Sequence, residues 1–600
     1  MYRPGQTFLL LSLQLSLCLG DRLGPTYPPP LDLSSEDSLV PSAWQEVTSV
    51  LNSYLDKTIE DPAVATALTG LENVTFSIGA FSLHDPAVSE DLQYHYSSPF
   101  TTKSTNGTKK VDANTIYRVA SITKLFTVYA ALLSLTEEQW YTPLNECVPE
   151  LAAYLESQPE GALMATPWDE VTPWSLANQI SGIARTPVVG DLLASPNLTE
   201  PVSTLLNIGL PLNPGFLAAL NDSDFTGATA LTSALYAKLA APQPPTYLPW
   251  TTPMYTNNGF AMLGVAITNL LGGNLSYNGL IQSTISDPLG LDFTGSVPPT
   301  TEADIARSAI ANPTYFFTPD GPISFSGGIL STISDLSLLG ISILNSTLLS
   351  PAQTRQWLHP TSHTASVRHS VGAPWEIFRW TSPLTGKVVD LYTKSGNSGD
   401  ATSHFILIPD YGFGFSYLSL APAEVTQRPT VINVILDLIV DSLLPALEAQ
   451  AAAEAQANFV GTYTTSADSP VNATIKVGWN ESTAAGAAPA LSLLEYTYNN
   501  TDLLSLFLPK DTKPRLLPTI LAEECGPTGK VAFEWSANPN VPAGLFQSIY
   551  KNNLDWLGTA GVTWSGVSVS SFVFDVDAER KATAVTAEIF EGLQLQRVQE

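Results

Sequence analysis

The stretch Tyr117 to Leu135, YRVASITKLFTVYAALLSL, constrains the fold more than any other. Leu125, Phe126, Val128, Tyr129, Leu132 and Leu133 leave a helix here almost no polar face. A helix that is apolar nearly all round has to be covered on every side. The run therefore predicts a helix buried between a helical region and a sheet. It opens, however, with a serine three residues before a lysine. On a helix Ser121 and Lys124 project from one face, and the helix N-terminus turns N–H groups toward anything bound there. The pair is either a polar start to a core helix, with an N-capping serine and a solvated lysine, or a nucleophile beside its base.

Covering such a helix takes a large body, and the chain has 600 residues, too many for one core. Two domains are expected. A net charge of −29 leaves no Lys/Arg surface for nucleic acid. The first 20 residues read as a secretory signal: Arg3, a Leu-rich core from Thr7 to Leu19, and Gly20 at the cleavage point. No later run of about 18 residues looks free of polar interruption, so no membrane span is expected. N-x-S/T sequons at Asn73, Asn106, Asn197, Asn221, Asn274, Asn345, Asn472, Asn480 and Asn499 fit a glycosylated, secreted protein. Cys18 would leave with the signal. Cys147 and Cys525 remain, as one disulfide or as two free thiols.

Residues 21–42 are Pro-rich and predict an extended or mobile tether. Ala43 to Ile59 has helical spacing, and Thr75 to Leu83 and the following LQYHYSS read as strands. Pro429 to Gln456 is helical with an Ala/Glu/Gln tail, and the main boundary is set at its end. Residues 43–456 form the first domain in this reading and 457–600 the second. The second carries short β-branched and aromatic segments such as NATIKVGW, KVAFEWSA and VSVSSFVFDV, separated by turn residues, and predicts an all-β module.

Two further stretches carry possible chemistry. In PMYTNNGFAMLGVAITNLLGG, Tyr255 and Asn257 sit in a turn ahead of an apolar helix that Gly272 and Gly273 end. A phenol near a lysine can relay a proton, and an amide can hold a carbonyl or an N–H. A plain Tyr–Asn loop is the alternative. In VVDLYTKSGNSGDATSHFILIPD, Lys394 ends a strand-like run, and the small residues Ser395 to Gly399 let a substrate approach the strand edge. A Gly-rich hairpin turn is the alternative. His359 and His363 are four apart in HPTSH, but Pro360 disfavours a helix and no Glu follows His359, so no metal site is expected. His404 reads as a strand residue. No G-x-S-x-G elbow is present.

SxxK, YxN and KSG in this order resemble the serine β-lactamase and penicillin-binding-protein superfamily. The Tyr-type second motif is similar to class C β-lactamases and their esterase, D-peptidase and transesterase relatives. SLANQISGIAR, DPLGLDFT and SFSGGILSTISDL look like further landmarks of that family, in its order. The β-rich end looks like the lipocalin-like domain of some secreted fungal members. The resemblance implies an α/β (α+β) body, an antiparallel sheet flanked by helices with an all-α subdomain, and then the all-β domain. It implies Ser121 as the acylated nucleophile and Lys124 as its base or the partner of Tyr255 in proton transfer. Asn257 would orient the substrate, and Lys394 would add positive charge beside Tyr255. Ser395, Gly396 and Asn397 would line the substrate edge, with the N–H groups of Ser121 and Asn397 as the oxyanion hole. One such donor is worth about 3 kcal/mol. Asp400, where relatives often have glycine, is expected to repel anionic substrates from the site edge.

The expected activity is a serine hydrolase acting on a small ester, lactone or amide, with no metal or organic cofactor. An acyltransferase tailoring a secondary metabolite is the second reading, and a non-catalytic binding protein on the same fold the third. The oligomeric state is not legible.

Overall fold

Strand β1 (Thr75–Ser82, TFSIGAFS) is buried at every position. Such a strand has to be central, with both faces covered. The computed structural model describes residues 24–159, 163–186, 204, 207–211, 232–273, 276–318, 321–422, 424–425, 428–480, 489–525, 528–536 and 562–598. In it β1 lies within an eight-stranded sheet. The other strands are β2 (Gln93–Tyr96), β3 (Ser362–His363), β4 (His369–Val371), β5 (Glu376–Thr381), β6 (Val388–Ser398), β7 (Ala401–Ile408) and β8 (Phe413–Leu420). Their order is β2-β1-β8-β7-β6-β5-β4-β3. β1 and β8 pair antiparallel over their whole length, from Thr75 opposite Leu420 to Ser82 opposite Phe413.

Helix α1 (Val40–Leu55) precedes the sheet. The run that opened the sequence forms α2 (Thr123–Ser134), with every residue from Thr123 to Ala131 buried. The helix α3 (Asn257–Leu270) is buried from Asn258 to Ile267. A third apolar helix, α4 (Ile333–Leu344), packs on β1: a side chain at Gly79 would come within 2.3 Å of Ile333. The Tyr129 ring stacks on Trp357 at 4.9 Å, and the Thr127 hydroxyl meets the Tyr277 hydroxyl at 2.8 Å. α2 is thus enclosed by sheet-side and helical neighbours, as an all-round apolar helix requires.

Helix α5 (Arg428–Phe459) is longer than the sequence reading, and Pro445 lies inside it. Contacts divide the chain into two units at Val440/Asp441, within α5. One holds Trp44–Trp380 and Asp390–Val440, and the other holds the N-terminal residues to Ala43, Thr381–Val389 and Asp441–Glu600. Thr430–Phe459 contains an 18-residue window with a mean hydropathy of 1.8 and is by length and composition apolar enough to cross a membrane, which the sequence reading had overlooked. Its inward positions, Val431, Ile435, Ile439, Leu443, Leu447, Ala451, Ala455 and Phe459, recur at the spacing of a core-facing stripe and are buried.

The second unit is a β-barrel. Its strands are β9 (Gly461–Thr464), β10 (Ala473–Asn480), β11 (Ala490–Tyr498), β12 (Thr501–Asp502), β13 (Arg515–Cys525), β14 (Thr528–Ser536), β15 (Ser571–Val576), β16 (Ala582–Ala587) and β17 (Gln594–Arg597). They run in the order β10-β9-β17-β16-β15-β14-β13-β11-β12, and pairing of β10 with β11 closes the ring. Phe459 at the end of α5 meets Phe533 and Phe574 edge to face, and Tyr496, Phe572 and Trp535 fill more of the interior. The Pro-rich segment belongs to this unit. Tyr27 stacks on Trp479, its hydroxyl donates to the Pro489 carbonyl at 2.6 Å, and the N–H groups of Leu31 and Asp32 donate to Glu454. The buried Glu448 carboxylate accepts from Ser382 and, at 2.7 Å, from Thr385.

Cys147 is a free thiol, half-buried, and burial pushes it up to about 11, while the side chain of Cys525 lies outside the described residues. Cys18 lies outside the described residues.

Candidate active site

Ser121 sits in a short turn, Ala120–Ile122, that leads into α2. Ala120 holds a left-handed backbone, φ 46°, which costs a residue with a Cβ about 1–2 kcal/mol. Strain of this kind persists where surrounding structure over-determines it. Here the neighbour is β6. A side chain at Gly396 would lie 2.5 Å from the Val119 carbonyl, 3.0 Å from the Ser121 nitrogen and 2.3 Å from the Ser403 hydroxyl. Only glycine lets β6 run this close to the serine turn.

The first turn of α2 places Lys124 behind Ser121, with Nζ 2.9 Å from Oγ. Lys124 is fully buried. Its Nζ also reaches Asn257 Oδ1 at 2.8 Å, the Ser326 carbonyl at 2.8 Å and the Ser326 hydroxyl at 3.1 Å. Tyr255 precedes α3, whose N-cap Thr256 accepts from Gly259 N–H. The Tyr255 hydroxyl donates to Ser121 Oγ at 2.7 Å. Asn257 is the first residue of α3 rather than part of the preceding turn.

Lys394 lies inside β6, which continues through it to Ser398 instead of ending there. Its Nζ stands 5.3 Å from the centre of the Tyr255 ring. It is buried, pairs with the Glu376 carboxylate of β5, and donates to the Ser395 carbonyl at 2.8 Å. The other Glu376 oxygen accepts from Ser395 N–H at 2.9 Å. Ser395 N–H thus points away from β7, and Asn397, two residues on, turns its N–H to the same side. The side chain of Asn397 is exposed.

Electrostatics follow the packing. Burial, then the charges of Lys394 and Arg185, hold Lys124 well below the usual lysine value, with Glu376 opposing. Burial acts against the Glu376 charge, but Lys394 and the bonds from Ser395 hold its carboxyl below its ordinary value. His404, opposite Ser395 on β7, is pushed down to about 4 by burial, so it is neutral at neutral pH.

The hydrogen-bond inventory of Lys124 is specific. Asn257 Oδ1 and the Ser326 carbonyl can only accept, so they take two N–H bonds. A neutral amine then has its lone pair left for the Ser121 hydroxyl.

Glu376, Ser326 and Arg185 were not singled out from sequence. Asp400 is 8% exposed and accepts from Asn312 N–H at 3.0 Å, so the hairpin tip folds its carboxylate into the protein. Among the described residues no group of His, Cys, Asp or Glu could hold a metal. The sequon residues Asn73, Asn106, Asn345, Asn472, Asn480 and Asn499 are exposed, while Asn197, Asn221 and Asn274 lie outside the described residues.

Comparison with known proteins gives the family of the chain. The β-lactamase family model matches residues 87–436, and residues 451–598 match the family described as Beta-lactamase-like-like, C-terminal domain. The chain belongs to the β-lactamase family, and its fold is the mixed α/β fold of that family followed by a β-barrel domain. It is 28% identical to a β-lactamase-like protein of Arthroderma benhamiae, over 80% of this chain and 76% of that one. It is 25% identical to a probable hydrolase of Cochliobolus lunatus, over 74% and 71%. Among solved structures, a class C β-lactamase from Rhodobacter sphaeroides aligns with 65% of this chain and 99% of its own, at 16% identity and a TM-score of 0.42.

Proposed function

We propose that the protein is a serine hydrolase that opens an ester, lactone or amide through an acyl-enzyme on Ser121. The observation that carries the reading is the contact of one serine oxygen with both a buried lysine nitrogen, at 2.9 Å, and a phenol, at 2.7 Å. A serine hydroxyl is a weak nucleophile until a base takes its proton. Burial and two cations hold Lys124 well below the ordinary lysine value, which favours the unprotonated amine that can accept that proton.

In the first step Oγ bonds the carbonyl carbon, its proton passes to Lys124 Nζ, and the carbonyl pair moves onto oxygen. The N–H groups of Ser121 and Asn397 serve the oxyanion. Collapse breaks the bond to the leaving oxygen or nitrogen, which takes the proton back through Tyr255. Water then attacks the acyl carbon, its proton is taken up by the same groups, and Ser121 is released with an acid product. Lys394 contributes positive charge beside the Tyr255 ring.

An acyltransferase differs only in the second step, where an alcohol or amine replaces water. Product analysis on a panel of neutral esters, lactones and amides, with and without added alcohol, separates the two. Free acid as the main product is the result expected. Acyl transfer that dominates at millimolar alcohol overturns hydrolysis, and turnover retained by Ser121→Ala overturns the acyl-enzyme itself.

A further inference from the structure

Glu376 lies outside every motif, on a strand that the sequence reading did not single out, yet its carboxylate is spent wholly on the site. One oxygen pairs with Lys394 Nζ and the other takes the Ser395 N–H at 2.9 Å. The side chain is 29% exposed and its partner Lys394 1%. We propose that Glu376 is a positioning residue for acylation, holding the Lys394 ammonium against Tyr255 and fixing the start of the Ser395–Asn397 edge.

The geometry supports this in three ways. Lys394 has three N–H donors; Glu376 and the Ser395 carbonyl take two of them and aim the nitrogen at the Tyr255 ring, 5.3 Å from its centre. Without a carboxylate there, a long, flexible ammonium has no fixed direction. Second, the Ser395 N–H is an outward strand donor, and its bond to Glu376 sets the path by which Gly396 reaches the Ser121 turn. Third, among the described residues the titratable groups set around the site are Lys124 on α2, Arg185 5.7 Å from the Tyr255 ring, Lys394 on β6, the neutral His404 on β7 and Glu376 itself. Glu376 is the one carboxylate in this set. It favours the protonated form of Lys124, whereas Lys394 disfavours it.

That opposition gives the test, which rests on the acyl-enzyme reading. The rate of Ser121 labelling by a fluorophosphonate is measured against pH on the full chain, for wild type, Glu376→Gln, Lys394→Met and the double variant. Glu376→Gln keeps the shape but can no longer accept from both partners. It is expected to slow labelling at the plateau by about tenfold or more, and to move the acid limb to lower pH. Lys394→Met is expected to move that limb to higher pH. The double variant is expected to lose less than the product of the two single losses, because the part of the Glu376 effect that acts through Lys394 adds nothing once that side chain is gone. An unmoved limb in Glu376→Gln, or losses that multiply in the double variant, overturns the proposal. If Glu376→Gln does not fold, Glu376→Asp, with the charge kept and the reach shortened, is expected to slow labelling with the limb in place. A wild-type rate in that variant is then the contrary result. Wild type that never labels at Ser121 overturns the acyl-enzyme reading and this inference with it, whereas wild type that labels while the variants behave like it overturns the inference alone.

Discussion

At the scale of the residue, the site turns on the protonation of one buried amine. Lys124 is enclosed, and its ordinary positive charge is disfavoured by burial and by two neighbouring cations. Acylation should therefore rise from acid toward a plateau, with its midpoint well below the ordinary lysine value of 10.5, as the amine loses its proton. Stopped-flow acylation across pH checks this; a rate flat from acid to alkaline pH contradicts a neutral lysine base. The sign for stability is fixed by the same shift. Between the folded and unfolded values the unfolded chain binds more protons, so this group's contribution to stability falls as pH drops through that window. Ser121, Lys124, Tyr255, Asn257 and Lys394 were legible because each sits in a short motif of fixed spacing. Glu376 and Ser326 were not, because they reach the site only through strand and helix packing from distant parts of the chain. Asp400 shows the converse: its place in a motif suggested an edge charge, but a two-residue turn folds it inward.

At the scale of the element, periodicity gave the local structure and tertiary pairing gave the rest. The all-round apolar run of α2 and the strand reading of β1 correspond to buried elements. The end of β6 was misjudged because small residues suggest a loop, whereas pairing with β7 carries the strand on to Ser398. α5 was misjudged in length and in hydropathy because its acidic residues interrupt the sequence by eye but leave its mean apolar. The end of α5 plugs the barrel with Phe459 against Phe533 and Phe574. Phe459→Ala should cost about 3–5 kcal/mol in urea unfolding of the barrel transition. A loss under 1 kcal/mol would mean that the ring is not a core member.

At the scale of the whole molecule, the chain divides into two units of different construction, a mixed α/β body and a closed barrel. The change of texture along the sequence set the division at the end of α5, where β-branched and aromatic segments replace the helix, whereas contacts divide the chain within that helix, at Val440/Asp441. The N-terminal Pro-rich segment could not be placed from sequence, since prolines fix an extended backbone without saying what it lies against. All the groups assigned to the reaction belong to the first unit, so the chemistry proposed stands on that unit's own framework.

The measurement that bears most directly on this account is the intact mass of the full-length protein after incubation with a fluorophosphonate, for wild type and Ser121→Ala. One adduct in wild type, mapped to Ser121, and none in the variant is the expected result. No adduct on wild type, or an adduct that persists in a folded Ser121→Ala, contradicts it.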